Sequence, residues 1–279
     1  MTPLRSSLFR AGALMIAGAS LVAGITLAPA LPAEAAIEPA LGAAVAAPTR
    51  SPNNVARDPY RHPGETLAFF GVKPTDTVVE IWPGPGWYTE ILAPYLKGKG
   101  TLYAVDFWPN DLRGVKALQT KDPTLYGGIK LAAFPVVAAS DPSVPTGTAD
   151  AVLTFRNVHN WQMGYKRGDV PYAVEAFKQM YAMLKPGGVL GIEDHRLPEN
   201  ADAEREKSSG YIKVSTIRML AEQAGFVFEG ASEVNANPKD KADYPGGVWT
   251  LLPGLRGGEQ YRAIGESDRM TLRFRKPKT

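Results

Sequence analysis

Short runs of β-branched and apolar residues alternate with helical patterns along most of the chain. Buried strands are predicted where such runs are bounded by turn residues, at 77–81, 101–105, within 129–138, and at 151–155, 189–192, 226–228 and 270–274. Helices are predicted at 57–70, 87–96, 172–184 and 215–224. Strands joined by helical crossovers predict an α/β fold with a doubly wound, mostly parallel seven-stranded sheet and helices on both faces.

Residues 1–35 have the pattern of an export signal. Two arginines precede an apolar stretch over 11–28, and Ala33-x-Ala35 fits a small-residue cleavage site. We predict cleavage near Ala35 and a periplasmic or secreted protein with no stable membrane anchor. The alternative is an uncleaved anchor, because this apolar stretch reaches the lower length limit for a membrane span.

The composition of the rest of the chain excludes several classes of functional site. Residues 36–55 are rich in Ala and Pro, which predicts a poorly ordered linker and leaves 56–279 as the working domain. Cysteine is absent, which excludes disulfides, thiolate nucleophiles and Cys-based zinc or iron–sulfur sites. The formal net charge is only +3 and no dense Lys/Arg cluster occurs, so we predict no nucleic-acid partner.

A glycine-rich loop follows the first predicted strand, which contains Glu80. Gly84 and Gly86 let the backbone approach a ligand closely, and the N-terminus of the next helix favours a carboxylate or phosphate. Asp106 ends the second strand 20 residues after Gly86, and a carboxylate there can accept hydrogen bonds from both hydroxyls of a ribose. A dinucleotide fold would need a small residue where Thr89 stands, which disfavours that alternative.

These motifs resemble those of the class I S-adenosylmethionine (SAM)-dependent methyltransferases. Glu80 to Gly86 matches the family's first motif, acidic-x-Gly-x-Gly-x-Gly, with Trp82 at the first glycine position. Asp106 matches the acid of the second motif, and Leu184-Lys-Pro-Gly-Gly188 matches the late motif. The resemblance implies a Rossmann-like sheet, SAM as the cofactor, and methyl transfer to a small-molecule acceptor.

A narrower resemblance is to a group of exported bacterial predicted methyltransferases. It rests on Tyr60-Arg-His-Pro-x-Glu-Thr-Leu67, Glu80-Ile-Trp-Pro-Gly84 and Arg156-Asn-Val-His-Asn-Trp161. Phe107 could stack on the adenine ring, and Asp141 could contact its edge. The residues that we expect to bind the cofactor are Glu80, Trp82, Gly84, Gly86, Asp106, Phe107 and Asp141.

The residues after the fourth predicted strand are the candidates for chemistry. A methyl sulfonium is already electrophilic, so the protein must mainly place a nucleophile and remove its proton. His159 is the predicted general base, because an imidazole titrates near neutral pH. Asn157 could offer its carbonyl to the substrate or to the amino group of the cofactor, and Arg156 could hold an anionic substrate. The alternative is a loop whose polar side chains satisfy local backbone groups.

The end of the fifth predicted strand carries further polar residues. Adjacent strand residues point to opposite faces, so Glu193 and Asp194 are not expected to form a catalytic carboxylate pair. Asp194 or His195 could reach the cleft, or they could form structural ion pairs with Arg196 or a neighbour. A metal held by His159, Asp194 and His195 is an alternative, but no local ligand spacing demands it, and we predict no metal.

Two functions from different classes remain open at this stage. The first is a SAM-dependent methyltransferase. The second is an exported, non-catalytic ligand-binding protein on a methyltransferase scaffold, which export would favour because SAM is made in the cytoplasm.

Overall fold

The computed structural model describes Met1 and residues 36–278. The predicted export signal therefore lies outside the described residues, apart from Met1. Seven strands form one sheet, and they are β1 (Thr77–Ile81), β2 (Thr101–Asp106), β3 (Lys130–Ala133), β4 (Ala149–Phe155), β5 (Leu184–His195), β6 (Val227–Ser232) and β7 (Arg269–Arg275).

The strand order is β3-β2-β1-β4-β5-β7-β6. The first five strands pair in parallel, whereas β7 runs antiparallel to both β5 and β6. The chain moves outward in one direction from β1 and in the other from β4, so the switch point of the topology lies between these two strands. The doubly wound, mostly parallel α/β sheet predicted from the sequence is confirmed. In such sheets a ligand binds beyond the carboxyl ends of the strands at the switch point.

Helices cover both faces of this sheet. They are α1 (Pro39–Val45), α2 (Pro52–Val55), α3 (Asp58–Arg61), α4 (Pro63–Phe70), α5 (Thr89–Leu96), α6 (Arg113–Lys121), α7 (Pro123–Tyr126), α8 (Val158–Gln162), α9 (Ala173–Met183) and α10 (Val214–Gln223). One apolar layer contains Phe177 and Ile217 from α9 and α10, and the other contains Phe70 and Ile91 from α4 and α5. Within the described part of the chain, no helix is long and apolar enough to span a bilayer.

The segment predicted as a helix over 57–70 is two helices, α3 and α4. His62 separates them in the left-handed conformation, with φ at 40°. The residue before a proline is disfavoured in the helical conformation, and Pro63 follows directly. Pro63 is therefore the first residue of α4 and not an interior residue of a longer helix.

The predicted turn over Lys185–Gly188 is part of a strand. β5 begins at Leu184, which pairs with Ala149 of β4. The backbone N–H of Gly187 and the carbonyl of Gly188 both bond to Lys276, just after β7. Four residues of β5 thus oppose one residue of β4, so the turn-forming sequence bulges within the strand, with φ of Gly187 at 80°.

The segment predicted as a linker, 36–55, packs against the domain. It contains α1 and α2, and Leu41 is only 1% exposed. The backbone N–H of Ser51 and the side-chain amide of Asn54 donate to Glu90 of α5, at 2.9 and 2.8 Å. The Ala/Pro-rich composition of this segment does not predict the packing, because the packing depends on the buried carboxylate of Glu90, more than 30 residues along the chain.

Candidate active site

The carboxyl ends of β1, β2, β4 and β5 lie side by side and carry most of the candidate residues. The glycine-rich loop follows β1, Asp106 ends β2, the segment from Arg156 to His159 follows β4, and Asp194 and His195 end β5. We call the crevice at these strand ends the switch-point crevice.

The glycine-rich loop after β1 depends on the absence of side chains. Gly84 and Gly86 have φ of 57° and 94°, which L residues rarely adopt. A Cβ on Gly84 would meet nothing within 4 Å, whereas one on Gly86 would lie 2.6 Å from Leu118 of α6. A Cβ on Gly114 would lie 2.2 Å from the carbonyl oxygen of Gly84, so α6 packs directly against the loop. The sequence around Gly114 carries no local signal of this contact.

Glu80 lies behind the loop. Its side chain is almost fully buried, and the Thr89 hydroxyl donates to its Oε2 at 2.6 Å. Burial raises the pKa of Glu80 to about 7, although the hydrogen bonds from Thr89 lower it. Glu80 thus ties β1 to the start of α5 and positions the loop. This contact also gives a structural reason for Thr89, the residue that departs from the dinucleotide pattern.

Asp106 has an oxygen available for a ligand. The Phe107 N–H donates to Oδ1 at 2.7 Å, and Oδ2 accepts no hydrogen bond from a described residue. Burial raises the pKa of Asp106 to about 7, and nearby Asp111 raises it further, whereas the Phe107 N–H and Lys166 lower it. The carboxylate therefore fits a pair of ribose hydroxyls, whose hydrogen bonds would stabilise its ionised form.

Trp82 extends into the same crevice. Its φ is 50°, the left-handed geometry that favours glycine at this motif position. The indole N–H donates to the Phe134 carbonyl at 3.0 Å, and the ring lies 5.3 Å from Phe107 and 5.8 Å from Trp161 between centroids. Trp82 and Phe107 together form an aromatic wall above the ends of β1 and β2.

Asp141 lies in the loop after β3. Its carboxylate accepts hydrogen bonds from the backbone N–H groups of Val137 and Ala138, at 3.1 and 2.9 Å. The side chain therefore stabilises a turn at one side of the crevice.

His159 and Asp194 form a buried pair. His159 Nδ1 lies 2.7 Å from Asp194 Oδ1, and the two side chains are 5% and 0% exposed. Asp194 also accepts the backbone N–H groups of His159 and His195, at 3.1 and 2.8 Å. A carboxylate at Nδ1 holds the proton there and leaves Nε2 as the basic nitrogen. His159 Nε2 bonds to no described residue. The sequence left the partner of Asp194 open, because 35 residues separate the two.

His195 lies next to this pair. The imidazole rings of His159 and His195 are 5.0 Å apart between centroids, and His195 Nδ1 lies 2.6 Å from the Ser267 hydroxyl. One potential ligand atom from each of His159, Asp194 and His195 falls within 4.8 Å of the others. The structure thus brings together the three residues of the metal alternative that the sequence analysis did not favour.

Asn157 and Arg156 complete the loop after β4. The Asn157 amide donates to the Ile81 carbonyl and to the Thr154 hydroxyl, at 3.0 and 3.1 Å, and so ties β4 to β1. Asn157 Oδ1 accepts no hydrogen bond from a described residue and can still face a ligand. Arg156 is partly buried with φ at 63°, and its guanidinium bonds to no residue in the described ranges.

The two carboxylates at the end of β5 point to different partners. Glu193 lies 2.8 Å from Arg269, whereas Asp194 binds His159, as expected for adjacent strand residues. Arg196 bonds to Asp268 and to Glu233, both at 2.8 Å, so the alternative pairing of Asp194 with Arg196 is wrong.

Comparisons with known proteins agree with this architecture. Residues 79–192 match the family described as a methyltransferase domain. Three similar solved structures span most of the chain. A SAM-dependent methyltransferase from Aquifex aeolicus is 16% identical, with a TM-score of 0.52 over 79% of this chain and 93% of its own. A putative sarcosine dimethylglycine methyltransferase from Galdieria sulphuraria is 13% identical, with a TM-score of 0.55 over 81% and 87%.

The third similar structure is an arsenic(III) S-adenosylmethionine methyltransferase from Chlamydomonas reinhardtii. It is 16% identical, with a TM-score of 0.53 over 88% of this chain and 75% of its own. No curated protein sequence matches the chain. Because their identities to this chain are low, the solved structures establish only its fold. The family match indicates that residues 79–192 are a methyltransferase domain. The prediction of a methyltransferase is confirmed at that level, and the fold fits the prediction of SAM as the cofactor. Residues 79–192 match a methyltransferase domain, within a sheet that has the fold of solved SAM-dependent methyltransferases.

Proposed function

We propose that this protein transfers a methyl group from SAM to a small-molecule acceptor, with His159 as the general base. The observation that carries the proposal is the pair of His159 and Asp194. A buried carboxylate fixes Nδ1 and leaves Nε2 without a partner among the described residues. This nitrogen belongs to the same edge of the sheet as the glycine-rich loop and Asp106.

Several residues of the switch-point crevice fit the cofactor. Asp106 Oδ2 would accept the ribose hydroxyls, and the open space above Gly84 leaves room for the backbone loop to contact the ligand. Phe107 and Trp82 offer aromatic faces for the adenine or the sulfonium. Glu80 and Asp141 would act indirectly, by holding the loops after β1 and β3. When bound, SAM supplies an electrophilic methyl group.

The chain's own residues supply the proton chemistry. As the acceptor oxygen, nitrogen or sulfur forms its bond to carbon, its proton passes to Nε2 of His159, and the electron pair of the broken carbon–sulfur bond stays on sulfur. The buried carboxyl group of Asp194 lies 2.7 Å from Nδ1, so it would stabilise the imidazolium that results and holds the ring in one orientation. Asn157 Oδ1 would accept a hydrogen bond from the acceptor or from the amino group of the cofactor.

Calorimetric titration of the full-length chain with SAM tests the first half of this proposal. We expect one site with a dissociation constant between about 1 μM and 1 mM, the usual range for enzyme substrates. A screen of small acceptors for S-adenosylhomocysteine formation tests the second half. Absence of SAM binding at millimolar concentration would contradict the proposal. Binding without transfer to any acceptor would favour a non-catalytic binding protein.

We also propose that the protein is exported and cleaved near Ala35. Support comes from the sequence pattern of residues 1–35, which lie outside the described part of the structure. We expect mass spectrometry of the protein from its native source to find an N-terminus at residue 36, in the fraction outside the cytoplasm. An intact N-terminus in the cytoplasmic fraction would contradict both export and cleavage.

A further inference from the structure

A cluster of buried charges lies beside the ends of β4 and β5. We call it the arginine cluster, and its members are Arg57, Arg61, Arg156, Arg269, Glu193 and Glu266. Glu266 forms ion pairs with three of the arginines, at 2.6 Å to Arg57 and 3.3 Å to both Arg61 and Arg269. Glu193 lies 2.8 Å from Arg269. Four guanidiniums against two carboxylates leave an excess of two positive charges, and adding nearby Asp194 still leaves an excess of one.

The same cluster has more hydrogen-bond donors than acceptors. Of thirteen buried polar side-chain atoms without a hydrogen-bond partner in the described residues, seven belong to this cluster or to the adjoining Tyr88. Five are donors and two are the oxygens of Glu193, and they are Arg57 Nη2, Arg61 Nη2, Tyr88 OH, Arg156 Nε, Arg269 Nε, Glu193 Oε1 and Glu193 Oε2. Buried donors without acceptors are costly and require an explanation.

Arg156 connects the cluster to the switch-point crevice. It is the only one of the four arginines with no ion pair in the described part of the chain, and it is also less buried than Arg61 and Arg269. Burial lowers the pKa of His195, and the nearby charges of His159, Arg156, Arg269 and Arg61 lower it further. The Arg156 backbone N–H donates to the Glu193 carbonyl at 2.6 Å, and Arg269 is the cross-strand neighbour of His195, so the arginine cluster adjoins the two histidines where the acceptor is to react.

We propose that the methyl acceptor carries an oxyanion, a carboxylate or a phosphate, and that Arg156 binds it. The guanidinium offers two outer nitrogens in a planar fork that matches either group. Arg61 and Arg269 would attract the anion by their positive charge without touching it, because their side chains are almost fully buried. This inference rests on the proposed methyl transfer, since it names the class of acceptor for the same site.

The excess positive charge also decides between the oxyanion and the metal alternative. A divalent cation held by His159, Asp194 and His195 would adjoin the arginine cluster, whose Arg269 is the cross-strand neighbour of His195, and like charges at short range are unfavourable. An oxyanion beside the same histidines would face attractive charge. The neighbouring arginines therefore favour an anionic ligand over a metal ion.

Histidine ring signals in an NMR titration test the proposal without a known acceptor. The chain has only three histidines, so ¹³C labelling gives one ring Cε1 signal for each, and the His62→Asn variant identifies the His62 signal and leaves the other two to His159 and His195. Inorganic phosphate and acetate are titrated separately into full-length protein saturated with S-adenosylhomocysteine, at constant pH and ionic strength. The cofactor product already carries a carboxylate, so its own anion site is filled. We expect saturable shifts of the His195 and His159 signals, and the anion that binds more tightly identifies the acceptor group.

Variants of Arg156 complete the test. Arg156→Met should weaken anion binding by about 10- to 100-fold, because charge-assisted hydrogen bonds are lost. Arg156→Lys should retain part of it, because the charge remains. Arg218→Met is the matched control, since Arg218 contacts Glu222 and Phe228 at the β6 edge of the sheet. Melting temperatures check that each variant is folded.

Three outcomes would overturn the inference. One is the absence of saturable shifts with either anion, and another is equal anion affinity in wild type and folded Arg156→Met. The third is a response of the His159 and His195 signals to zinc but not to anions, which would support the metal alternative. If S-adenosylhomocysteine does not bind at all, the result counts against the proposed function instead. A separate calorimetric titration with S-adenosylhomocysteine measures this binding.

Discussion

Replacing His159 by asparagine should slow methyl transfer by about 10²- to 10⁴-fold, the usual contribution of a general base. His159 Nδ1 binds Asp194 and Nε2 has no partner among the described residues, so the ring is held by one nitrogen and can react through the other. An asparagine amide can still donate to Asp194 from near the Nδ1 position, but it has no basic nitrogen. The fold should therefore persist while the base is lost.

The measurement is the rate of S-adenosylhomocysteine formation with an acceptor found by screening the wild-type protein. SAM affinity should stay within a few-fold, because His159 and Asp106 lie at the ends of different strands. His62→Asn is a matched control, since His62 has a left-handed backbone that asparagine tolerates, and its imidazole bonds to neither His159 nor Asp194. Wild-type turnover in folded His159→Asn would exclude a base role. A melting temperature many degrees lower would assign His159 to the fold.

Local patterns predicted the sheet because each strand carries its own signal. The run Thr77–Ile81 is β-branched, and its last four residues are buried, as in a parallel strand covered on both faces. Helix α9 is amphipathic, with Ala176, Phe177 and Met180 buried at helical spacing. Loop residues after strands were also placed correctly, because parallel strands present their carboxyl ends at one edge.

The failures have a common cause in long-range pairing. Lys185–Gly188 has a turn composition, but its neighbours in β4 and after β7 keep it within β5 as a bulge. Helix α1 is an Ala/Pro-rich segment stabilised by burial of Leu41. No pattern within either segment encodes those contacts.

The charge partners of the site could not be predicted for the same reason. The pair of His159 and Asp194 spans 35 residues, and the contact of Arg57 with Glu266 spans 209. The first contact forms because β4 and β5 are neighbours in the sheet, and the second because the start of α3 lies against the segment before β7. The residue types predicted an acid and a base near the crevice. Only the fold shows that Asp194 binds His159 and that Glu266 binds Arg57.

Replacing Asp106 by alanine should weaken SAM binding by roughly 100-fold or more. Two hydrogen bonds from ribose hydroxyls to a carboxylate would be lost, and bonds to charged groups contribute about 1.5–3 kcal/mol each. Calorimetric titration with SAM measures the effect. Asp150→Ala is the matched control, because Asp150 is a carboxylate near the opposite end of the parallel strands, where it contacts Lys185 and the Thr77 N–H. Equal SAM affinity in wild type and folded Asp106→Ala would exclude the ribose assignment.

The pH dependence of binding gives Asp106 a second, independent signature. Its pKa is raised to about 7 by burial, so roughly a tenth of the carboxyl is ionised near pH 6 and roughly nine tenths near pH 8. Ribose hydroxyls donate to the ionised form, so affinity should rise about tenfold between these two pH values. Adenosine is the better probe, because it has a ribose but no group of its own that titrates in this range. In Asp106→Asn the rise should disappear, since an amide does not ionise. A rise that persists in this variant would assign the titration to another group, of which the buried Glu80, with a pKa also raised to about 7, is the first to test.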